Sequence, residues 1–191
     1  MEYIYRSKEK NVILSPSYMI GNIDYIDAVK YHEEMHQDIT VIYKNINTGA
    51  KDFLNCDVLN IDGNNNVLSV GRNIGTYDSL NISMEIFIMK KHLLISIINK
   101  CVQSGSYCTI KDAIYKNLNE VKVNAYEFKG SLQCVNSINS YYKTNMDMLN
   151  LKTTKELFFS NGPIYTKIID KPPTKYSEES NVKNSIIADA L

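Results

Sequence analysis

The sharpest short pattern in the chain is His32-Glu33-Glu34-Met35-His36, a literal H-E-x-x-H. On a helix this spacing puts two imidazoles on one face with a glutamate beside them, as a zinc hydrolase needs to bind its metal and activate water. Zinc also needs a third protein ligand. The only other histidine is His92, with Glu85 and Glu120 as carboxylate candidates, and none lies at a recognised downstream spacing. The competing reading is a helix face packed between strands, with His32 near the core edge. That reading is preferred, because a five-residue pattern arises easily by chance.

Other reactive residue types are thinly spread. Cys108 beside Tyr107 has a nucleophile's sulfur but no histidine near it in sequence to activate it, so a structural thiol is expected. Gly71-Arg72-Asn73-Ile74-Gly75 is a glycine-flanked turn with one cation that could touch a phosphate, although an ordinary loop explains it better. There is no Walker loop and no G-x-G-x-x-G, so the chain supplies no phosphate cradle of its own. Tyr18, Tyr77 and Tyr107 could line a sugar-binding cleft if the fold brought them together.

The elements that must position these residues follow from periodicity. Asn11 to Leu14 reads as a buried strand stopped by Ser15-Pro16-Ser17. Asp24 caps a helix to about His36, with Tyr25, Val29, His32 and His36 on one face. Ile39 to Tyr43 is a β-branched strand. Strand, helix, strand with short joints predicts a βαβ unit, a parallel sheet and a right-handed crossover. Val58–Ile61 and Val67–Val70 flank Asp62-Gly63-Asn64-Asn65-Asn66, a hairpin signal. Ile82–Met89 is a further strand, His92 to Val102 a helix ended by Gly105, Thr109 to Leu118 a helix, Val121 to Phe128 a strand, and Ser137 to Leu149 a helix capped by Ser137. Beyond it the chain turns proline-marked, from Asn161-Gly162-Pro163 to Lys171-Pro172-Pro173, as linkers are. Val182 to Leu191 has the small-and-apolar rhythm of one β-helix rung.

The totals bound the class. At 191 residues, 44% hydrophobic and 22% charged, the chain can bury roughly 70% of its unfolded surface in a conventional core. Lys plus Arg and Asp plus Glu are both 21, so no bulk charge draws it to nucleic acid or to an anionic membrane. No run is apolar enough to span a bilayer and Met1-Glu2-Tyr3 does not open a secretory signal. Four scattered cysteines (Cys56, Cys101, Cys108, Cys134) without a C-x-x-C pair fit reduced thiols and a cytoplasmic location.

Several segments together resemble the ADP-glucose pyrophosphorylase (glucose-1-phosphate adenylyltransferase) family. They are Val12-Ile13-Leu14, Asn22-Ile23-Asp24-Tyr25, Tyr31-His32-Glu33-Glu34, Asp38-Ile39-Thr40-Val41 and the run from Ser137 to Asp147. Gly162-Pro163-Ile164-Tyr165-Thr166-Lys167, Pro172-Pro173-Thr174-Lys175-Tyr176 and Val182-Lys183-Asn184-Ser185 extend the likeness nearly collinearly to the end. The resemblance implies an α/β fold: a partial Rossmann-like nucleotidyltransferase domain over 1–150, an extended linker over 151–181, and the start of a left-handed parallel β-helix over 182–191. Relative to the family the chain looks truncated at both ends, and the family's glycine-rich nucleotide loop is absent from it.

The family joins ATP to glucose 1-phosphate, with Mg²⁺ held by two aspartates that neutralise developing charge. One aspartate lies in a Gly-Asp-His turn, where this chain has Ser15-Pro16-Ser17-Tyr18, with Ser17 at the aspartate's place. The other lies in a Ser-His-Asp-Phe-Gly segment, where this chain has Ser106-Tyr107-Cys108-Thr109-Ile110, with Cys108 in that role. The family's Glu-Lys-Pro sugar-phosphate motif reads Gly71-Arg72-Asn73, keeping a cation at Arg72. A hydroxyl and a thiol do not replace hard anionic oxygen for Mg²⁺. The expectation is therefore a regulatory, non-catalytic subunit that binds no cofactor itself. Its partner would be a catalytic subunit that carries Mg²⁺ in a hetero-oligomer, with a sugar-phosphate or nucleotide effector and with neither nucleic acid nor membrane. An active adenylyltransferase fragment, an unrelated sugar-binding module and the zinc hydrolase stay as alternatives.

Overall fold

The computed structural model describes residues 2–105, 109–118, 120–165, 174–183, 185 and 187. In chain order its elements are α1 (Glu2–Arg6), β1 (Asn11–Leu14), β2 (Met19–Gly21), α2 (Tyr25–Met35), β3 (Ile39–Ile46), β4 (Asp57–Ile61), β5 (Val67–Arg72) and β6 (Leu80–Lys90). They continue as α3 (Lys91–Gln103), α4 (Ile110–Lys116), β7 (Val123–Glu127), β8 (Leu132–Cys134), α5 (Ile138–Asp147) and α6 (Leu151–Phe159). The chain divides into two compact units, one of residues 1–19 and 23–129, the other of residues 20–22 and 130–191.

The first unit is built on a mixed six-stranded sheet in the order β5-β4-β6-β3-β7, with β1 pairing β6. β6 is the centre because its run Ile82–Met89 is apolar on both faces; Ile82, Met84, Ile86, Phe87, Ile88 and Met89 are all buried. β3 takes one edge of β6, antiparallel, while β4 and β1 take successive stretches of the opposite edge. β1 and β3 do run parallel to each other, but β6 lies between them. The expected βαβ unit is thus split by a later strand, and the parallel pair that forms is β3 with β7. The core joins Ile39, Val41, Phe87, Met89, Leu94, Ile97, Ile114 and Val123 from sheet and helices. β1 is not buried on both faces as its composition suggests: Val12 and Leu14 pack on the core while Ile13 points outward.

Local chemistry fixes the joints. Asp24 Oδ1 accepts from Ile26 N at 2.8 Å and caps α2. Thr109 and Asp112 form a capping box on α4. The β4–β5 hairpin turns where expected, with Asp62 Oδ1 accepting from Asn64 N and Asn66 N, both at 2.8 Å, and Asn65 left-handed at φ 63.

The second unit pairs β2 with β8 and adds α5 and α6. Ser137 caps α5 as its position predicts. Leu151–Phe159, expected to be extended, is helix α6: Asn150 Oδ1 accepts from Lys152 N at 2.9 Å, and Leu157 is buried. Of the expected β-helix rung, only residues 182, 183, 185 and 187 are among the described residues, and they lie in no strand.

Candidate functional site

Four side chains of the first unit meet around one bulge. Between Ile42 and Tyr43 the pairing of β3 jumps from Ile86 to Ser83, so Met84 and Glu85 are extra residues on β6. Glu85 adopts a left-handed φ of 54°, which turns its carboxylate away from the ladder. Glu85 Oε1 accepts a hydrogen bond from the hydroxyl of Tyr18, in the loop after β1, and lies 2.6 Å from the Lys111 ammonium on the first turn of α4. Lys111 Nζ is also 2.9 Å from Oδ2 of Asp57, the first residue of β4. Among the described residues that buried oxygen has no hydrogen-bond partner besides this ammonium.

The carboxylate side chains are 10% and 13% exposed and the lysine 28%, so the triad is largely withdrawn from water and its charges act at close range. Burial pulls the Lys111 ammonium down, but hydrogen bonds and charge from Glu85 and Asp57 outweigh it and hold the group above its ordinary value. Behind the bulge, Ser83 Oγ accepts from Glu85 N at 3.1 Å and lies 2.8 Å from the Tyr115 hydroxyl. Burial pushes the Tyr115 phenol far up, against the opposing hydrogen bond to Ser83, so it stays protonated at physiological pH. Two carboxylates against one ammonium leave this cluster with one net negative charge.

The H-E-x-x-H residues do not converge. α2 ends at Met35, and His36 is its C-cap in the left-handed region, φ 52, so it has left the helical face before it could pair with His32. His32 is buried, with Nδ1 2.8 Å from Thr40 Oγ1, and burial lowers its pKa. Glu33 is exposed and accepts from Asn11 Nδ2 at 3.0 Å. Glu85, one candidate third ligand, faces Tyr18 and Lys111 instead. No group of three or more His, Cys, Asp or Glu able to hold a metal occurs among the described residues.

Of the positions carried by the family resemblance, Ser17 is exposed in the loop that leads to Tyr18, and Cys108 lies outside the described residues. Magnesium takes hard anionic oxygen. Ser17 offers a neutral hydroxyl, and the carboxylates of Glu85 and Asp57 are engaged by Lys111, so these residues do not fit a resident Mg²⁺. Arg72 is exposed at the end of β5, opposite Asp57 in register, with its Nε donating to Asn55 O at 3.2 Å. Its neighbour Asn73 is buried. The Asn73 amide donates to the carbonyls of Gly49, Asp52 and Phe53 at 2.8 to 3.1 Å, and Gly75 N donates to its side-chain oxygen. Of the three tyrosines imagined around a sugar cleft, Tyr18 is bound to Glu85, Tyr77 is exposed, and Tyr107 lies outside the described residues. Nothing local in the sequence marks Asp57 or Lys111: the pairing of β4 with β6 at Val58–Ile82 brings Asp57 beside the bulge, and α4 brings Lys111.

No protein-family model matches the chain. Among curated proteins it is 28% identical over 188 residues to the glycogen biosynthesis protein GlgD of Bacillus subtilis, and 30% identical over 188 residues to GlgD of Geobacillus stearothermophilus. Each match covers 98% of this chain and 44% of the relative. The glucose-1-phosphate adenylyltransferase of Mycoplasma mobile is 26% identical over 174 residues, covering 88% of this chain and 45% of that protein. The chain therefore spans less than half the length of the curated relatives it matches. Among solved structures, HddC from Yersinia pseudotuberculosis matches with a TM-score of 0.55 at 16% identity, covering 74% of this chain and 57% of that one, a likeness of fold alone. It agrees with the mixed α/β architecture of the first unit.

Proposed function

The chain belongs to the ADP-glucose pyrophosphorylase family, and on that premise we propose that it is part of a regulatory or scaffold subunit of glucose-1-phosphate adenylyltransferase in glycogen synthesis. A catalytic partner in the cytoplasm would form ADP-glucose and hold the Mg²⁺, and this chain would contribute contacts and an effector response to a sugar phosphate or nucleotide. The observation that carries the reading is the fate of the two metal positions. Ser17 presents a hydroxyl, Cys108 a thiol, and the carboxylates of Glu85 and Asp57, gathered with Tyr18 next in sequence to Ser17, neutralise Lys111 instead of facing solvent. A site that transfers an adenylyl group needs anionic oxygen on its metal and preorganised cations on its phosphates. Here the anions and the cation are spent on one another.

The likeness to proteins named for glycogen biosynthesis supports the regulatory reading over the active-fragment alternative. Arg72, exposed beside the cluster, is the residue this reading assigns to a sugar-phosphate or effector contact. Co-expression with a catalytic adenylyltransferase subunit, followed by size-exclusion chromatography, tests the proposal. The chain should co-elute with the catalytic subunit in a fixed ratio; separate elution at micromolar concentrations would count against it.

A further inference from the structure

Tyr18 and Lys111 come from two different segments, yet both donate to one oxygen, Glu85 Oε1. A neutral hydroxyl and an ammonium converging on a single anionic oxygen is the geometry by which proteins hold an oxyanion such as a phosphate monoester. The oxygen they hold belongs to the chain itself. It is delivered by a bulge residue with φ 54°, a conformation that glycine adopts freely and glutamate does not. A non-glycine residue persists in that region where its surroundings over-determine it, and here those surroundings are the Tyr18 and Lys111 contacts and the Ser83 hydroxyl that accepts from Glu85 N.

We infer that Glu85 is an internal plug: its carboxylate occupies a two-donor oxyanion site formed by Tyr18 and Lys111, and excludes a phosphate-bearing ligand from it. This rests on the regulatory reading and deepens it, since it names what holds the two donors next to Ser17 closed to a ligand. Asp57 stays on the ammonium when Glu85 is removed, so the opened site is electrically neutral and its affinity modest. Replacing Asp57 as well leaves an unopposed cation. The site thus has a graded response to charge: closed with both carboxylates, weakly open without Glu85, and more open without both.

The probes are inorganic phosphate and glucose 1-phosphate, titrated calorimetrically against the full chain. Wild type should bind neither measurably. Glu85→Gly, which also relaxes the bulge, should bind both, with an affinity gain of roughly tenfold or more over wild type, equivalent to about 1.4 kcal/mol. Glu85→Gly with Asp57→Asn should bind tighter still, and Glu85→Gly with Lys111→Met should lose the gain. If Glu85→Gly did not fold, Glu85→Ala, which removes the oxygen that Tyr18 and Lys111 hold, carries the same test in the same direction. A folded Glu85 variant with no more affinity than wild type, or a gain that survives Lys111→Met, overturns the plug. Pyrophosphate release run on the same samples reports separately on the regulatory reading: binding without turnover leaves that reading standing, while turnover in wild type contradicts it whatever the titrations show.

Discussion

His32 Nδ1 lies 2.8 Å from Thr40 Oγ1, buried between α2 and β3, and this one contact decides how the H-E-x-x-H segment behaves. Burial disfavours the imidazolium, and the Lys90 charge adds to it, so the folded pKa lies below the unfolded value of 6.5. A depressed histidine leaves stability intact above pH 6.5. Below it the unfolded state takes up a proton that the folded state resists, so stability falls as pH drops and levels off beneath the folded pKa. Urea denaturation at pH 7.5 and 5.5 should show the loss, and His32→Gln should flatten it. An unchanged slope in that variant would assign the acid sensitivity elsewhere.

His36 sits at φ 52 as the C-cap of α2, where a side chain is strained and glycine is not. His36→Gly should therefore raise stability by up to about 1 kcal/mol. His36→Ala should leave the fold intact, and the purified protein should carry no stoichiometric zinc by elemental analysis. Zinc at one per chain, lost in His36→Ala, would restore the hydrolase reading.

Asn73 anchors three carbonyls of the 49–53 loop from a position 3% exposed. Asn73→Ala strands those acceptors and should cost on the order of 2 kcal/mol, since each buried group left unsatisfied costs roughly 1–3 kcal/mol. Loop protection in hydrogen exchange should fall with it. A loss under about 0.5 kcal/mol, within the range of ordinary surface changes, would show that the loop is held by other contacts.

Ser17 is exposed and holds no metal on this account, so Ser17→Ala should leave the activity of a complex with the catalytic subunit unchanged within about twofold, a difference near 0.4 kcal/mol. A loss of tenfold or more, measured as ADP-glucose formation, would mean that this loop enters the chemistry.

Elements with strong local signals were legible from sequence: Asp24, Thr109 and Ser137 each cap the helix expected after them, and Asp62–Asn66 turns the expected hairpin. What local pattern could not carry was strand order. The apolar run of β6 announces a buried strand, but nothing local says that it inserts between β1 and β3. The same non-local step hid the Glu85 cluster, because Asp57, Glu85 and Lys111 are dispersed in sequence and meet through a bulge whose two extra residues leave no mark in composition. The proline-marked texture that follows α6 makes Leu151–Phe159 read as extended and hides the helix.

On the proposed regulatory role, this chain modulates adenylyl transfer without performing it. The most direct measurement is ADP-glucose formation from ATP, glucose 1-phosphate and Mg²⁺ by the chain alone, by the catalytic subunit alone, and by the two together. The account predicts no turnover from the chain alone and a several-fold change in apparent substrate affinity or rate for the mixture, on the scale of a coupling of about 1 kcal/mol. Turnover by the chain alone, or a mixture indistinguishable from the catalytic subunit by itself, would contradict it.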